Sequence, residues 1–289
     1  MSNGLLNTNQ RYLGNHKANV FFDEDQSHDL VNFILVGKGG DDTLTGLSGN
    51  DSIWGGSGDD FLFGQAGDDE IYGGVGLDVI YGGDGDDKLY GQGGDDAIHG
   101  GEGADLLNGG AGADQLYGDN GDDTLSGGAG SDSIMGGEGD DRLSGGDDND
   151  RLQGGGGDDV LVGGAGNDVL YGEDGADTLS GGDGSDTFVY NFVEHSTVGS
   201  ADVIRDFEVG VDFIDLSGID ANVNVDDQQF FDFIGSKGFS GTAGELNYQI
   251  VKGRGLLSGD VDGDGKADFQ LVLANQAALT VNDLVLSWV

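Results

Sequence analysis

The stretch "GGDGDDKLYGQGGDDAIH", Gly82–His99, is two nine-residue units laid end to end. Each opens on glycines, carries Asp at its sixth position (Asp87, Asp96) and a branched apolar residue at its eighth (Leu89, Ile98). Glycine loses the most entropy on ordering, and neighbouring carboxylates repel. Such a stretch is expected to be disordered unless something regular organises it. The same phase extends in both directions without insertion or deletion, from Gly37 to Val189, as 17 consecutive units. Gly holds the first position in all of them, Asp the sixth, and Leu, Ile or Phe the eighth. Position four is Gly except at Asp148. Position two is looser, with Lys38, Leu47, Gln65, Gln92, Asp119 and Glu173 in place of Gly.

A flexible acidic linker has no reason to keep apolar residues in phase over 153 residues. Positions one to six read as a turn, where Gly allows positive φ and close backbone approach. Positions seven to nine read as a short strand, with residue eight pointing one way and residues seven and nine the other. One unit buries a single apolar side chain, so only a stack of units can build a core.

Composition sets further bounds. The 289 residues include 61 Gly, no Pro and no Cys, and the 55 acids against 11 bases leave a net charge of −44. Nucleic acid, with its own negative phosphates, is excluded as a partner. Multivalent cations are the natural complement. Without Cys there is neither a disulfide framework nor a thiolate metal site. The first residues hold no basic segment followed by an apolar core, so no cleavable secretory signal is expected. No apolar run reaches the length of a membrane-spanning helix.

The repeated G-G-x-G-x-D-x-U-x unit resembles the RTX family strongly. That resemblance implies an all-β fold: a right-handed parallel β-roll with two units per 18-residue coil, closed by a β-rich C-terminal capping domain. It also implies Ca²⁺ between turns stacked on the same edge, two units apart. The ligands so implied are Asp42, Asp51, Asp60, Asp69, Asp78, Asp87, Asp96, Asp105, Asp114, Asp123, Asp132, Asp141, Asp150, Asp159, Asp168, Asp177 and Asp186, helped by turn carbonyls. They pair as Asp42 with Asp60, Asp51 with Asp69, and so on to Asp168 with Asp186. Seventeen turns allow at most fifteen such pairs. Hard oxygens suit Ca²⁺, whereas Mg²⁺ prefers a small octahedron and keeps its waters. Residues 37–189 hold 35 acids and four bases, a net of −31. About fifteen divalent ions nearly cancel it. The motif departures at Lys38, Leu47 and Asp148 mark turns where binding is open to doubt.

Three segments follow from this layout: a tail and cap at 1–36, the repeats at 37–189, and a β-rich C-terminal region at 190–289. Residues 1–19 read as a loose terminus, and 20–36, with "LVNFILV" at 30–36, as a cap strand region. After Tyr190, strand-like runs are expected at 186–193, 201–207, 211–216, 229–234, 245–251, 268–273 and 279–289. The segments "ADVIRDFEVGVDFIDLSGID" (201–220), "GTAGELNYQI" (241–250) and "SGDVDGDGKADFQLVL" (258–273) resemble the C-terminal domain of serralysin-type metalloproteases. Within the last, Asp260, Asp262, Asp264 and Asp268, with Gly265, resemble half of an EF-hand loop. Leu271 stands where such a loop needs Glu, so the readings are one Ca²⁺ in a hairpin loop or a solvated acidic turn. The apolar terminus "DLVLSWV" (283–289) looks like an uncleaved type I export signal, or an ordinary last strand.

Catalytic motifs are missing from the sequence. The metalloprotease resemblance calls for H-E-x-x-H, yet the histidines are His16, His28, His99 and His195, none of them four apart and none before a Glu. No G-x-S-x-G elbow occurs. Position nine carries Trp54, Phe63, Tyr72, Tyr81, Tyr90, Tyr117 and Tyr171. These rings read either as a contact surface or as stacking between neighbouring strands. The expectation is therefore a secreted, monomeric calcium-binding protein without enzymatic activity, whose partners are calcium ions and the type I secretion machinery. The alternatives are the folding module of a secreted metalloprotease or polysaccharide-modifying enzyme, or a protein that touches extracellular polysaccharide, a host surface or a membrane.

Overall fold

A computed structural model describes residues 10–13, 20–21, 32–225, 227–275 and 278–287. The last two residues of the apolar terminus lie outside them. The chain divides into two compact units, 1–134 and 135–289, with the division inside the repeat array.

In the first unit every repeat gives one parallel strand, and successive strands alternate between two sheets. One sheet runs Gln10–Leu13, Phe33–Val36, Ser52–Ser57, Glu70–Val75, Lys88–Gly93, Leu106–Ala111, Thr124–Ala129. The other runs Val20–Phe21, Thr43–Ser48, Phe61–Ala66, Val79–Asp84, Ala97–Glu102, Gln115–Asn120. Between repeats the register is i to i+18, as in Thr43↔Phe61 and Leu44↔Leu62. This is the parallel β-roll that the RTX resemblance implies. The strand Gln10–Leu13 lies within the segment read as a loose terminus; it pairs in parallel with Phe33–Val36.

The strands are longer than the sequence suggests. From Thr43–Ser48 to Thr178–Asp183 each covers six residues, from position seven through position three of the next unit, and the turn shrinks to positions four to six. Positive φ at position two bends the strand without breaking its ladder. Gly56 has φ 117°, and the substituted positions adopt it too, as at Gln65 (φ 81°) and Glu173 (φ 72°). Asp148, at position four, also keeps a positive φ of 76°, so its turn retains the conformation that Gly supplies elsewhere.

The core is a single apolar column. In the first unit Leu44, Ile53, Leu62, Ile71, Ile80, Leu89, Ile98, Leu107 and Leu116 are fully buried. Full burial of one such side chain contributes about 1.5–3 kcal/mol, too little for one unit to fold alone. Outside the column, the position-nine rings form two stacks: Trp54–Tyr72–Tyr90 with centroids 5.8 and 4.8 Å apart, and Phe63–Tyr81–His99–Tyr117 at 5.4, 4.9 and 4.4 Å. Ring faces within each stack are covered by neighbouring rings, which favours the strand-stacking reading. His99 belongs to the ladder although sequence reading left it out.

In the second unit Leu143, Leu152, Leu161, Leu170, Leu179 and Phe188 carry the column, and Ile204 and Ile214 extend it past the last repeat. The strands Val203–Ile204 and Phe213–Asp215 pair in parallel with Thr178–Asp183 and Thr187–Val189. An antiparallel meander follows: Glu245–Val251, Arg254–Asp260 and Phe269–Leu273. Lys252 (φ 50°) and Gly253 (φ 82°) make the two-residue turn that such a hairpin favours. The strand Arg254–Asp260 was not anticipated. Its glycines obscure the pattern because they make room for rings: a Cβ on Gly255 would lie 2.0 Å from the Tyr248 hydroxyl, and one on Gly259 2.8 Å from the Phe231 ring.

Candidate metal centre

The position-six aspartates are buried in every turn from Asp42 to Asp186. An 18-residue register puts each directly over the next on the same edge. The Asp69 N–H donates to Asp87 Oδ1, and the Asp87 N–H to Asp105 Oδ1, each at 2.7 Å. The first unit therefore holds two columns, Asp42–60–78–96–114–132 and Asp51–69–87–105–123, joined by bonds of 2.7–2.9 Å. The second unit begins with Asp141–159–177 and Asp150–168–186. The partners eighteen residues apart are in contact within each unit, as the resemblance implies.

One carboxylate oxygen is used in this way. The other, Oδ2, is buried without a hydrogen-bond partner from Asp51 through Asp114 and from Asp159 through Asp186. Buried polar atoms are rarely left so, and charged ones almost never. Their surroundings show where they point. A Cβ built on Gly82 would lie 2.2 Å from Asp87 Oδ2 and 2.6 Å from the Gly100 carbonyl oxygen. On Gly154 it would lie 2.2 Å from Asp159 Oδ2 and 2.8 Å from the Gly172 carbonyl oxygen. A carboxylate oxygen from one turn and a carbonyl oxygen from the turn two units on thus converge on space that only glycine leaves open. That close approach, rather than backbone torsion, is what position one requires.

The electrostatics agree. Burial, reinforced by the charges of Asp69 and Asp105, pushes Asp87 from 3.8 up to about 8, against the lowering effect of the Asp69 N–H. Burial and the charges of Asp177, Asp141 and Asp140 likewise push Asp159 to about 8. Burial raises Asp51, Asp69 and Asp96 to about 7. These carboxylates lack a counter-charge. An all-oxygen set of carboxylates and carbonyls, repeated without imidazole or thiolate, fits Ca²⁺.

A second row, which the sequence reading missed, runs along position five. The Asp86 N–H donates to Asp68 Oδ1 at 3.2 Å, and the Ala104 N–H to Asp86 Oδ1 at 2.9 Å. These bonds run opposite to the inner ladder, from the later turn to the earlier one. The aspartates that make them are exposed.

The ladder also continues where the nonapeptide stops. The Asp177 N–H donates to Asp202 Oδ1, and the Asp186 N–H to Asp212 Oδ1, both at 3.0 Å. Intervals of 25 and 26 residues hide this from any search at a period of nine. The remaining signal is local: Asp202-Val-Ile204 and Asp212-Phe-Ile214 repeat the Asp-x-Ile triplet of the units.

In the hairpin loop after Arg254–Asp260, carboxylate oxygens of Asp260, Asp262 and Asp268 lie within 4.8 Å of one another. Asp264 stands apart and pairs with Lys266. Asp260 is buried, yet both its oxygens are taken, by the N–H groups of Gly263 (2.7 Å) and Gly265 (2.9 Å). Asp268 Oδ2 accepts from the Val261 N–H at 2.9 Å.

Fold and turns together define a cation-binding parallel β-roll. The family described as the RTX calcium-binding nonapeptide repeat (4 copies) matches residues 36–71, 63–98, 72–107, 90–125, 99–134, 117–152, 126–161 and 153–188. The chain belongs to this family, and its repeats are calcium-binding. Metalloprotease AprA of Pseudomonas entomophila (strain L48) is 43% identical over 97 residues, 32% of this chain and 19% of that protein. Serralysin A of Dickeya chrysanthemi is 39% identical over 101 residues, 34% of this chain and 20% of that protein. The chain thus spans about a fifth of the length of these relatives. The solution structure of the AlgE6R3 subunit from the Azotobacter vinelandii mannuronan C5-epimerase is similar at 30% identity, covering 58% of this chain and 80% of that one, with a TM-score of 0.38.

Proposed function

We propose that this chain is an extracellular module that folds when it meets calcium, after export unfolded through type I machinery. The observation that carries the reading is the row of buried Oδ2 atoms without donors. Carboxylates cannot be packed this way while charged and unpaired without a large penalty. In the calcium-free chain the same residues are better solvated apart, so the unfolded, net −44 chain is the favoured state. Calcium supplies the positive charge and the six to eight oxygen contacts that make the stacked turns stable. Up to about fifteen ions are expected in the array, one per pair of position-six aspartates.

Transport and biological address rest on the resemblance of the C-terminal segments to secreted metalloproteases. The sequence carries no H-E-x-x-H, and the chain is proposed to have no catalytic role of its own. A second reading is favoured by the metalloprotease relatives: the segment serves as the export, folding and substrate-contact part of a secreted enzyme. Circular dichroism tests the main reading. Millimolar calcium should produce a strong β-signal that excess chelator abolishes. Equal β-signal in both conditions would defeat it.

A further inference from the structure

Side chains alternate between the two faces of a strand, and the two faces of the antiparallel meander differ. On one face Leu246, Leu257 and Leu271 are fully buried. The other carries a polar row in register: Asn247 stands opposite Ser258, and Ser258 opposite Gln270. Asn is an unusual choice for a strand interior, and its amide is costly to bury unmet. Yet Asn247 is only 5% exposed, and among the described residues nothing hydrogen-bonds its side chain. Ser258, 6% exposed, accepts from Gln270 Nε2 at 3.3 Å, and its own hydroxyl proton finds no acceptor among the described residues.

Both groups line a cleft of about 320 Å³, together with Gln249, Leu256 and Phe239. Its walls are fastened from outside. On one side the Ser240 N–H and hydroxyl both donate to the Glu245 carboxylate, at 2.6 and 2.8 Å, which holds the segment bearing Phe239. On the other side the Gly265 N–H donates to Asp260 Oδ2 at 2.9 Å, which holds the loop at its rim. The cleft is therefore formed before any ligand arrives, as binding sites for small molecules usually are.

The lining constrains the chemistry of the ligand. It contains no carboxylate, so a cation has no counter-charge there. Its charged residue, Lys266, is already met by Asp264, and a chain of net charge −44 repels anions. What remains is two amides and a hydroxyl, able to donate and to accept, beside a half-buried ring and a leucine. A ring of vicinal hydroxyls with an apolar C–H face matches both halves. We propose that the cleft binds one neutral hexopyranose unit, with Asn247, Gln249 and Ser258 on its hydroxyls and Phe239 against its C–H face. The region after Tyr190 then has a recognition role beside that of closing the roll.

NMR titration of the isotope-labelled full chain in calcium with methyl glucoside, methyl galactoside and methyl mannoside tests the site. At least one sugar should shift the side-chain amide signals of Asn247 and Gln249 saturably, with millimolar affinity. Asn247→Ala should weaken that binding about tenfold, the effect of losing a hydrogen bond or two. Its melting temperature in calcium should not fall, because no internal hydrogen bond is lost. Should Asn247→Ala fail to fold, Phe239→Ala, at a half-buried position, should show the same loss of binding. No shift with any of the three sugars, or equal affinity in parent and variant, would overturn the site. Tighter binding of glucuronate than of the neutral sugars would overturn the neutral class of ligand.

Discussion

The turn Gly82–Asp87 and the loop Asp260–Asp268 are both built from Gly and Asp, and both bury an aspartate. In the turn, Asp87 receives one backbone N–H and leaves Oδ2 facing a glycine and a carbonyl oxygen. In the loop, Asp260 receives two backbone N–H groups, one at each carboxylate oxygen. Acid content is similar; the direction of the backbone amides is opposite. Amides that point at a carboxylate make it self-sufficient, whereas carbonyls that point at it call for a cation. The comparison separates a turn with an unpartnered carboxylate oxygen from a loop without one more sharply than composition can.

The most disruptive way to test it is Gly82→Ala. The new Cβ would occupy the space between Asp87 Oδ2 and the Gly100 carbonyl oxygen. The loss should be about 3 kcal/mol, at the top of the overpacking range. It should appear as a lower melting temperature in calcium and at least one ion lost from the full chain. An unchanged ion count would mean that the cradle at Gly82 is not where the ion sits.

The second test is pH in the absence of calcium. Folding raises Asp87 and Asp159 to about 8, and Asp51, Asp69 and Asp96 to about 7, from 3.8. Between those values the folded chain binds more protons than the unfolded one. Stability is then greatest below about pH 4 and falls as pH rises from there to about 8. Calcium-free protein should gain β-signal on acidification from pH 8 toward pH 4. A flat profile would show that these carboxylates find partners without ion or proton.

The smallest effect is expected in the loop. Asp260→Asn weakens two charge-assisted bonds to backbone amides and should cost about 1.5 kcal/mol. It should leave the ion count of the full chain unchanged. Loss of an ion would erase the distinction between the loop and the repeat turns.

Much of this was legible because the chain repeats. Asp at six and an apolar residue at eight fixed the phase and the buried column; the two edges and the 18-residue partners followed from the resemblance to the RTX family. Strand length was not legible, because a glycine-rich stretch reads as turn. Only stacking shows that positions one to three stay in the ladder with a bend at position two. Asp202 and Asp212 were missed because intervals of 25 and 26 residues destroy the phase that made the others visible. Asp264 was grouped with its neighbours by alternation along the sequence, but the local chain turns it toward Lys266. The strand Arg254–Asp260 was hidden by glycines whose purpose is set by rings distant in sequence.

The register of i to i+18 has a consequence for how such an array can change length. Removing one nine-residue unit would send every later turn to the opposite edge and swap the two ring stacks between sheets. Removing two would leave every later side chain on its original face. Unit number is thus a quantity with parity: gains and losses in pairs are geometrically silent, and single ones turn the rest of the molecule over.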